Sequence, residues 1–319
     1  MPSSPDIRFD VASVLDRGAR EYQEDALATD FPMGADLGYA VLSDGMGGHA
    51  AGDVASKIVV TEVFAELKFQ SGDPEYFSEN IGTILKHAAV VANDCVRAHT
   101  ANNPDTAGMG ATLVAPIFLG DRLFWISIGD SPFFLYRGGR LKQLNEDHSL
   151  GPQIDFMVRS GMMSEDVARH HPDRNALTSV LIGDDIERID CPDEPMQLQD
   201  GDIFIVASDG LQFLGNKQIS EIIEENALSG ANTIAETLLD EVTALGDPEQ
   251  DNVSFTVIKV RFHRARHDTG NIFTPEFEGR PTSRPLAEED LTAAREVATE
   301  TEESPIFLRR RWLATDGGF

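Results

Sequence analysis

Two apolar runs in this chain end in the same three residues. Tyr39-Ala40-Val41-Leu42 leads into Ser43-Asp44-Gly45, and Ile203-Phe204-Ile205-Val206-Ala207 leads into Ser208-Asp209-Gly210. Short apolar runs bounded by turn residues read as buried strands, and each strand here delivers a carboxylate and then a flexible backbone at its C-terminal end. Lying side by side, the two would bring acidic oxygens and an approachable carbonyl to one rim, a setting that suits a hard divalent cation. An Asp-Gly pair by itself means little, because Asp caps local N–H groups and Gly accepts positive φ. Asp200-Gly201 and Asp316-Gly317 read as such turns. Only further residues give the echo meaning.

The chain has 319 residues, 41% of them hydrophobic and 25% charged, which is the make-up of a globular protein. No run approaches the roughly 18 consecutive apolar residues of a membrane span, and the N-terminus lacks the basic-then-apolar layout of a signal peptide. A cytoplasmic protein is therefore expected. The formal charge of −28 argues against nucleic acid, whose phosphate backbone requires a basic stripe. The two cysteines, Cys95 and Cys191, have no metal-ligand spacing and read as idle thiols.

Strand-like alternation opens at Arg8–Val14. Apolar residues at helical spacing follow over Ala51–Leu67 and Glu79–Ala98. A β-rich block comes next, over Thr112–Leu119, Arg122–Ile128, Phe133–Tyr136 and Leu141–Leu144, broken by glycine turns and read as a meander of hairpins. Residues 148–175 are polar and rich in His, Met and Gly, as an inserted flap would be. After Ile203–Ala207, helical patterns cover Asn216–Asn226 and Ala231–Leu245, and a last strand spans Val253–Phe262. This order predicts an α+β fold with helices outside sheets, not an alternating parallel one. Residues 1–262 form the expected domain. Residues 263–319, interrupted by prolines and carrying acidic clusters, read as a mostly disordered tail.

Acids recur where elements end: Glu24-Asp25, Asp44, Asp130, Asp209 and Asp251. None has a His or Cys at ligand spacing, which argues against zinc, and all-oxygen ligation by carboxylates selects Mg²⁺ or Mn²⁺. Two such ions close together activate a shared water at neutral pH and polarise a phosphoryl group. Arg20, four residues before Glu24, supplies a guanidinium suited to phosphate oxygens.

The ordered motifs Arg20-Glu21-Tyr22-Gln23-Glu24-Asp25, Asp44-Gly45-Met46-Gly47-Gly48-His49, Gly108-Met109-Gly110-Ala111-Thr112, Gly129-Asp130-Ser131, Glu146-Asp147-His148-Ser149, Asn175-Ala176-Leu177-Thr178, Ser208-Asp209-Gly210-Leu211 and Asp251-Asn252-Val253 resemble the metal-dependent protein phosphatases of the protein phosphatase 2C type, in their bacterial branch. The resemblance implies a four-layer α-β-β-α sandwich of two antiparallel sheets flanked by helices, with the metals at one end. It also implies a phosphoserine/phosphothreonine phosphatase acting on phosphorylated proteins, with a Ser/Thr kinase as functional partner. By motif position, Asp44 would bridge two Mn²⁺ or Mg²⁺ ions. Asp209 and Asp251 would hold one of them, and the Gly45 carbonyl would help hold the other, supported by Glu24 and Asp25. Asp130 with Asp209 would hold a third, weaker ion. Arg20 would bind phosphate, and His49 is a candidate proton donor to the leaving alkoxide. Gln23 stands where the family usually has Asn, and Pro132 where it often has Arg. Two alternatives remain beside this reading: a catalytically weak phosphatase-like regulatory module, and a phosphatase of an anti-sigma-antagonist (partner-switching) pathway.

Overall fold

The two Ser-Asp-Gly strands are covered on both faces, and each is sandwiched between a helix layer and the opposite sheet. The structure, a computed structural model, describes residues 6–47 and 50–263. The strands, in chain order, are β1 (Asp6–Asp16), β2 (Ala26–Asp30), β3 (Leu37–Ser43), β4 (Gly45–Met46), β5 (Gly110–Ala111), β6 (Leu113–Leu119), β7 (Arg122–Ile128), β8 (Phe133–Arg137), β9 (Arg140–Gln143), β10 (Met196–Gln197), β11 (Ile203–Ala207) and β12 (Val253–His263). The helices are α1 (Ala50–Gln70), α2 (Pro74–Asn102), α3 (Gly151–Arg159), α4 (Glu165–Arg169), α5 (Asn216–Glu225) and α6 (Ala231–Ala244). One sheet has the order β1-β12-β11-β8-β9, the other β10-β7-β6-β3-β2, and their pairings are antiparallel.

The period-2 geometry of a strand explains why these runs are apolar without alternation. Tyr39 and Val41 of β3 point into a core shared with α1 and α2, while Ala40 and Leu42 point between the sheets. On β11, Ile203, Ile205 and Ala207 meet the α5/α6 side, and Phe204 and Val206 face the sheet opposite. Helix, sheet, sheet and helix thus enclose three apolar layers. This is the expected α-β-β-α sandwich. The central layer is keyed by aromatic rings, with Phe204 5.2 Å edge-on from Phe118 and 5.8 Å from Phe133 in a stacked contact.

Two expectations change. β3 and β11 do not pair in one sheet; they lie in opposite sheets and meet across the central core. The β-rich block is also not one meander, because β6–β7 and β8–β9 are hairpins of different sheets. The chain crosses between them at Gly129–Pro132. Gly129 has φ +105°, and a Cβ there would press on the Thr112 side chain at 2.6 Å. Sequence periodicity misses β2, whose five residues pair with β3, and reads residues 148–175 as an inserted flap without naming the helices α3 and α4 that form there. Helix α2 starts five residues before the expected stretch, at Pro74, with the Asp73 carboxylate accepting from the Tyr76 N–H. Among the described residues no helix is long and apolar enough to cross a membrane. The expected tail, apart from His263, and the candidate His49 both lie outside the described residues.

Phe204→Ala would empty the middle of the central layer. The expected loss is about 3–5 kcal/mol of unfolding free energy, read from urea denaturation. A loss under about 1 kcal/mol would mean the sheets do not depend on this layer.

Candidate active site

Both Ser-Asp-Gly segments emerge at the same end of the sandwich, one from each sheet. The loop carrying Arg20, Glu24 and Asp25 is tied to them by Asn252. Its side-chain amide donates to the carbonyls of Arg17 and Tyr22 (2.8 and 2.9 Å), and its Oδ1 accepts the Glu24 N–H at 2.7 Å. Thr112 does the same for Asp44: its hydroxyl accepts the Asp44 N–H at 2.9 Å, and its own N–H donates to the Asp44 carbonyl. The hydroxyl of Ser208 donates to Asp25 at 2.8 Å, whereas that of Ser43 donates to the Thr112 carbonyl. Gln23, the departure from the family pattern, holds the loop from inside. Its Nε2 donates to the Asp16 carbonyl and its Oε1 accepts from the Asp25 N–H, both at 3.0 Å.

The glycines of the two motifs are positions of close backbone approach. A Cβ on Gly45 would overlap the Gly52 carbonyl oxygen, and one on Gly210 would overlap that of Asn252. Gly45 also donates its N–H to the Glu24 carbonyl at 3.1 Å.

The result is a cavity of about 500 Å³ whose walls include Arg20, Glu24, Asp44, Gly45, Asp130, Asp209 and Asp251. Asp25 lies buried beneath it, 3% exposed. Burial penalises charge on Glu24, Asp25, Asp44, Asp130 and Asp209, and neighbouring acids add to it. Asp25 is pushed up to about 7 by burial, with Asp209 and Asp251 contributing and the Ser208 hydroxyl opposing. Burial also raises Asp130 to about 7, with Asp209 and Asp147 adding to it. Asp209 rises to about 6, through burial and then Asp251, against the relief offered by Arg20. Asp44 is held well above the carboxylate range by burial and then by Asp25, Asp209, Asp130 and Asp251. Glu24 is raised by burial, with Arg20 partly countering.

Glu24 Oε1 and Asp209 Oδ1 are buried with no hydrogen-bond partner. Acceptor oxygens without donors, among carboxyls that destabilise one another, are what a hard cation relieves, and the donor set is all oxygen. In chemical character the residues fit a divalent metal. As they stand, no three Asp, Glu, His or Cys side chains among the described residues are gathered closely enough to hold one. Arg20 instead supplies the positive charge, bonded to Asp251 at 2.5 Å with half of its side chain exposed.

A model of the protein phosphatase 2C family matches residues 17–250. The chain belongs to that family. PstP, a serine/threonine protein phosphatase of Mycobacterium tuberculosis, is 33% identical over 227 residues, which are 69% of this chain and 40% of PstP. The match thus spans well under half of that relative's length. The serine/threonine phosphatase Stp of Listeria monocytogenes is 29% identical over 222 residues, 69% of this chain and 83% of Stp. A crystal structure of the PstP catalytic domain in complex with two manganese ions has a TM-score of 0.64 and 28% identity, covering 80% of this chain and 99% of that one.

In this protein phosphatase 2C chain the structure brings the candidate residues Arg20, Glu24, Asp44, Gly45, Asp130, Asp209 and Asp251 to one cavity, with Asp25 buried beneath it. Sequence reasoning assigned no role to Asn252, Thr112 and Ser208, although each stands beside or within a quoted motif. Their signal is an amide or hydroxyl adjoining an acid at a strand end. His148 of the quoted Glu146–Ser149 motif is fully buried, and its Nδ1 accepts the Gly129 N–H at 3.3 Å.

The raised acids make folding depend on pH. A carboxyl whose folded value exceeds its unfolded one binds protons more tightly in the native chain. Its contribution is therefore most favourable below about pH 4 and is lost as pH climbs toward 7. In EDTA, Asp25→Asn should match the parent in melting temperature at pH 3.5 and exceed it at pH 7.5. Equal melting at both pH values would remove burial as a cost on Asp25.

Proposed function

We propose that this chain is a metal-dependent protein-serine/threonine phosphatase, a phosphoric monoester hydrolase. Its substrates would be phosphoserine and phosphothreonine proteins of a cytoplasmic Ser/Thr kinase pathway. One observation carries the reading: carboxylates from both sheets converge on a single cavity with Glu24 Oε1 and Asp209 Oδ1 buried and unpartnered. The named relatives point to the same chemistry. None of the acids that a silent relative would have lost is missing.

Asp44, Asp209, Asp251 and the Gly45 carbonyl would hold two Mn²⁺ or Mg²⁺ ions, with Glu24 and Asp25 in support. Asp130 and Asp209 would hold a third, weaker one. When bound, such ions lower the pKa of water to near neutrality and offset charge on a phosphoryl group. The protein's own residues do the rest. Arg20 turns from Asp251 to the substrate and grips two phosphate oxygens, a fork that suits phosphate better than a point charge does. Asn252 and Thr112 keep the Glu24 and Asp44 backbones fixed, so that the acids need not reorganise during reaction. Asp25, buried and bonded to Ser208, keeps its charge oriented toward the rim. His49 would give a proton to the departing serine or threonine oxygen, a contribution of about 10²–10⁴ in rate.

Three outcomes test the assignment. With Mn²⁺, Asp44→Asn and Asp209→Ala should each lose hydrolysis of p-nitrophenyl phosphate and of a phosphothreonine peptide. Undiminished Mn²⁺-dependent turnover in either variant would sink it. Arg20→Ala should raise KM for both substrates at least tenfold while Mn²⁺ binding, followed by calorimetry, persists. Mn²⁺ should also raise the melting temperature of the parent more at pH 7.5 than at pH 5, because protons compete for the same oxygens. A pH-independent increment would place the ion elsewhere.

A further inference from the structure

A second cavity, of about 340 Å³, opens in the flap between α3 and α4, and three guanidinium groups line it: Arg159, Arg169 and Arg174. This is an unusual concentration in a chain with only 26 Lys and Arg against 54 Asp and Glu. Two acids, Asp155 and Glu165, share the lining. Asp155 is occupied by Arg174 at 2.8 Å, which holds its carboxyl below the ordinary range. Arg159 and Arg169 are exposed and form no salt bridge among the described residues. Each ends a short helix, where a cation is favoured. That accounts for one arginine per helix, but not for both facing one cavity with a third.

The cavity adjoins the acid site along the chain. Arg174 lines the flap cavity, while the next three residues, Asn175, Ala176 and Leu177, line the acid cavity. This shared wall is pinned at its foot. The Leu150 N–H donates to the Ala176 carbonyl at 3.0 Å, and the Thr178 hydroxyl donates to the His148 carbonyl at 2.8 Å. An extended peptide advances about 3.3 Å per residue, so a chain with its phosphoryl group in the acid cavity can run along this wall toward the flap cavity. Phe156, Met162 and Val167, on or beside α3 and α4, are all more than half exposed. They offer apolar footing beside the charge.

We infer that the flap cavity is a substrate subsite that takes an anionic group, a carboxylate or a second phosphate, a few residues from the phosphoresidue being hydrolysed. The inference rests on the phosphatase reading and narrows its substrates to phosphopeptides with acidic flanks. Arg159 and Arg169 supply the free donors, and Arg174, fixed by Asp155, sets the edge of the site. An acid-lined reaction cavity repels acidic substrates at long range; a local guanidinium cluster offsets that for the correct partner and leaves the repulsion in place for others.

The test uses the full chain with Mn²⁺ and four substrates. These are p-nitrophenyl phosphate, a phosphothreonine peptide with neutral flanks, the same peptide with glutamates in the flanks, and one with a second phosphoserine. The parent should favour the two acidic peptides over the neutral one by about tenfold in kcat/KM. In Arg159→Ala/Arg169→Ala that preference should vanish through KM, with the neutral peptide and p-nitrophenyl phosphate unchanged. The preference should also fade in 0.5 M salt, where screening is short-ranged. Comparison of the two acidic peptides tells carboxylate from phosphate recognition. Equal kcat/KM for acidic and neutral peptides in the parent would overturn the subsite while leaving the phosphatase reading intact. Absence of turnover on all four substrates would instead remove that reading. Faster hydrolysis of acidic peptides by the double variant would also overturn the inference.

Discussion

Carboxylates from both sheets converge on one end of the sandwich, where burial disfavours charge on Glu24, Asp25, Asp44, Asp130 and Asp209. Asp25, Asp209, Asp130 and Asp251 all raise Asp44, Asp209 raises Asp130, and Asp25 sits below with 3% exposure. A fold does not collect such groups without something to offset them, because buried like charges cost several kcal/mol each unless paired. Among the described residues Arg20 brings a positive charge, through Asp251, and the Ser208 hydroxyl adds a hydrogen bond to Asp25. The proposed ions would answer the rest and would free Arg20 for phosphate. The acids thus explain both the arginine's present partner and its proposed one.

The acids can stand so close because backbone approaches backbone there. Gly45 and Gly210 leave room that no Cβ would, and Asn252 and Thr112 convert that proximity into hydrogen bonds. The two Ser-Asp-Gly segments, alike in sequence, then diverge. Ser43 bonds inside its own sheet to the Thr112 carbonyl, whereas Ser208 reaches across to Asp25 of the other half. The glycines serve alike, each admitting a neighbouring carbonyl; the serines do not.

Much of this is legible along the chain. Unbroken apolar runs such as Tyr39–Leu42 and Ile203–Ala207 mark strands buried on both faces, and helical spacing marks α1, α2, α5 and α6 within a few residues. The acids at element ends are visible because Asp beside Gly or Asn after a strand is a local pattern. β2 escapes because Ala26–Asp30 is too short and mixed to announce itself, and its identity comes from pairing with β3. The flap helices escape because their packing is slight, so little apolar periodicity is needed to form them. Asn252 escapes as a clamp because its partners, Arg17, Tyr22 and Glu24, lie more than 220 residues away.

The sequence by itself determined the long buried strands, the acids that end them, and that their chemistry is all-oxygen. These depend on periodicity and residue type, which are properties of neighbours in the chain. Only the tertiary structure decided that the two Ser-Asp-Gly strands face each other from opposite sheets, that Gly129–Pro132 carries Asp130 across between the sheets, and that three flap arginines meet at one cavity. Those outcomes depend on how the apolar layers stack, with Phe118, Phe133 and Phe204 keying one sheet onto the other. Packing of that kind is a relation between distant residues, and no local pattern carries it.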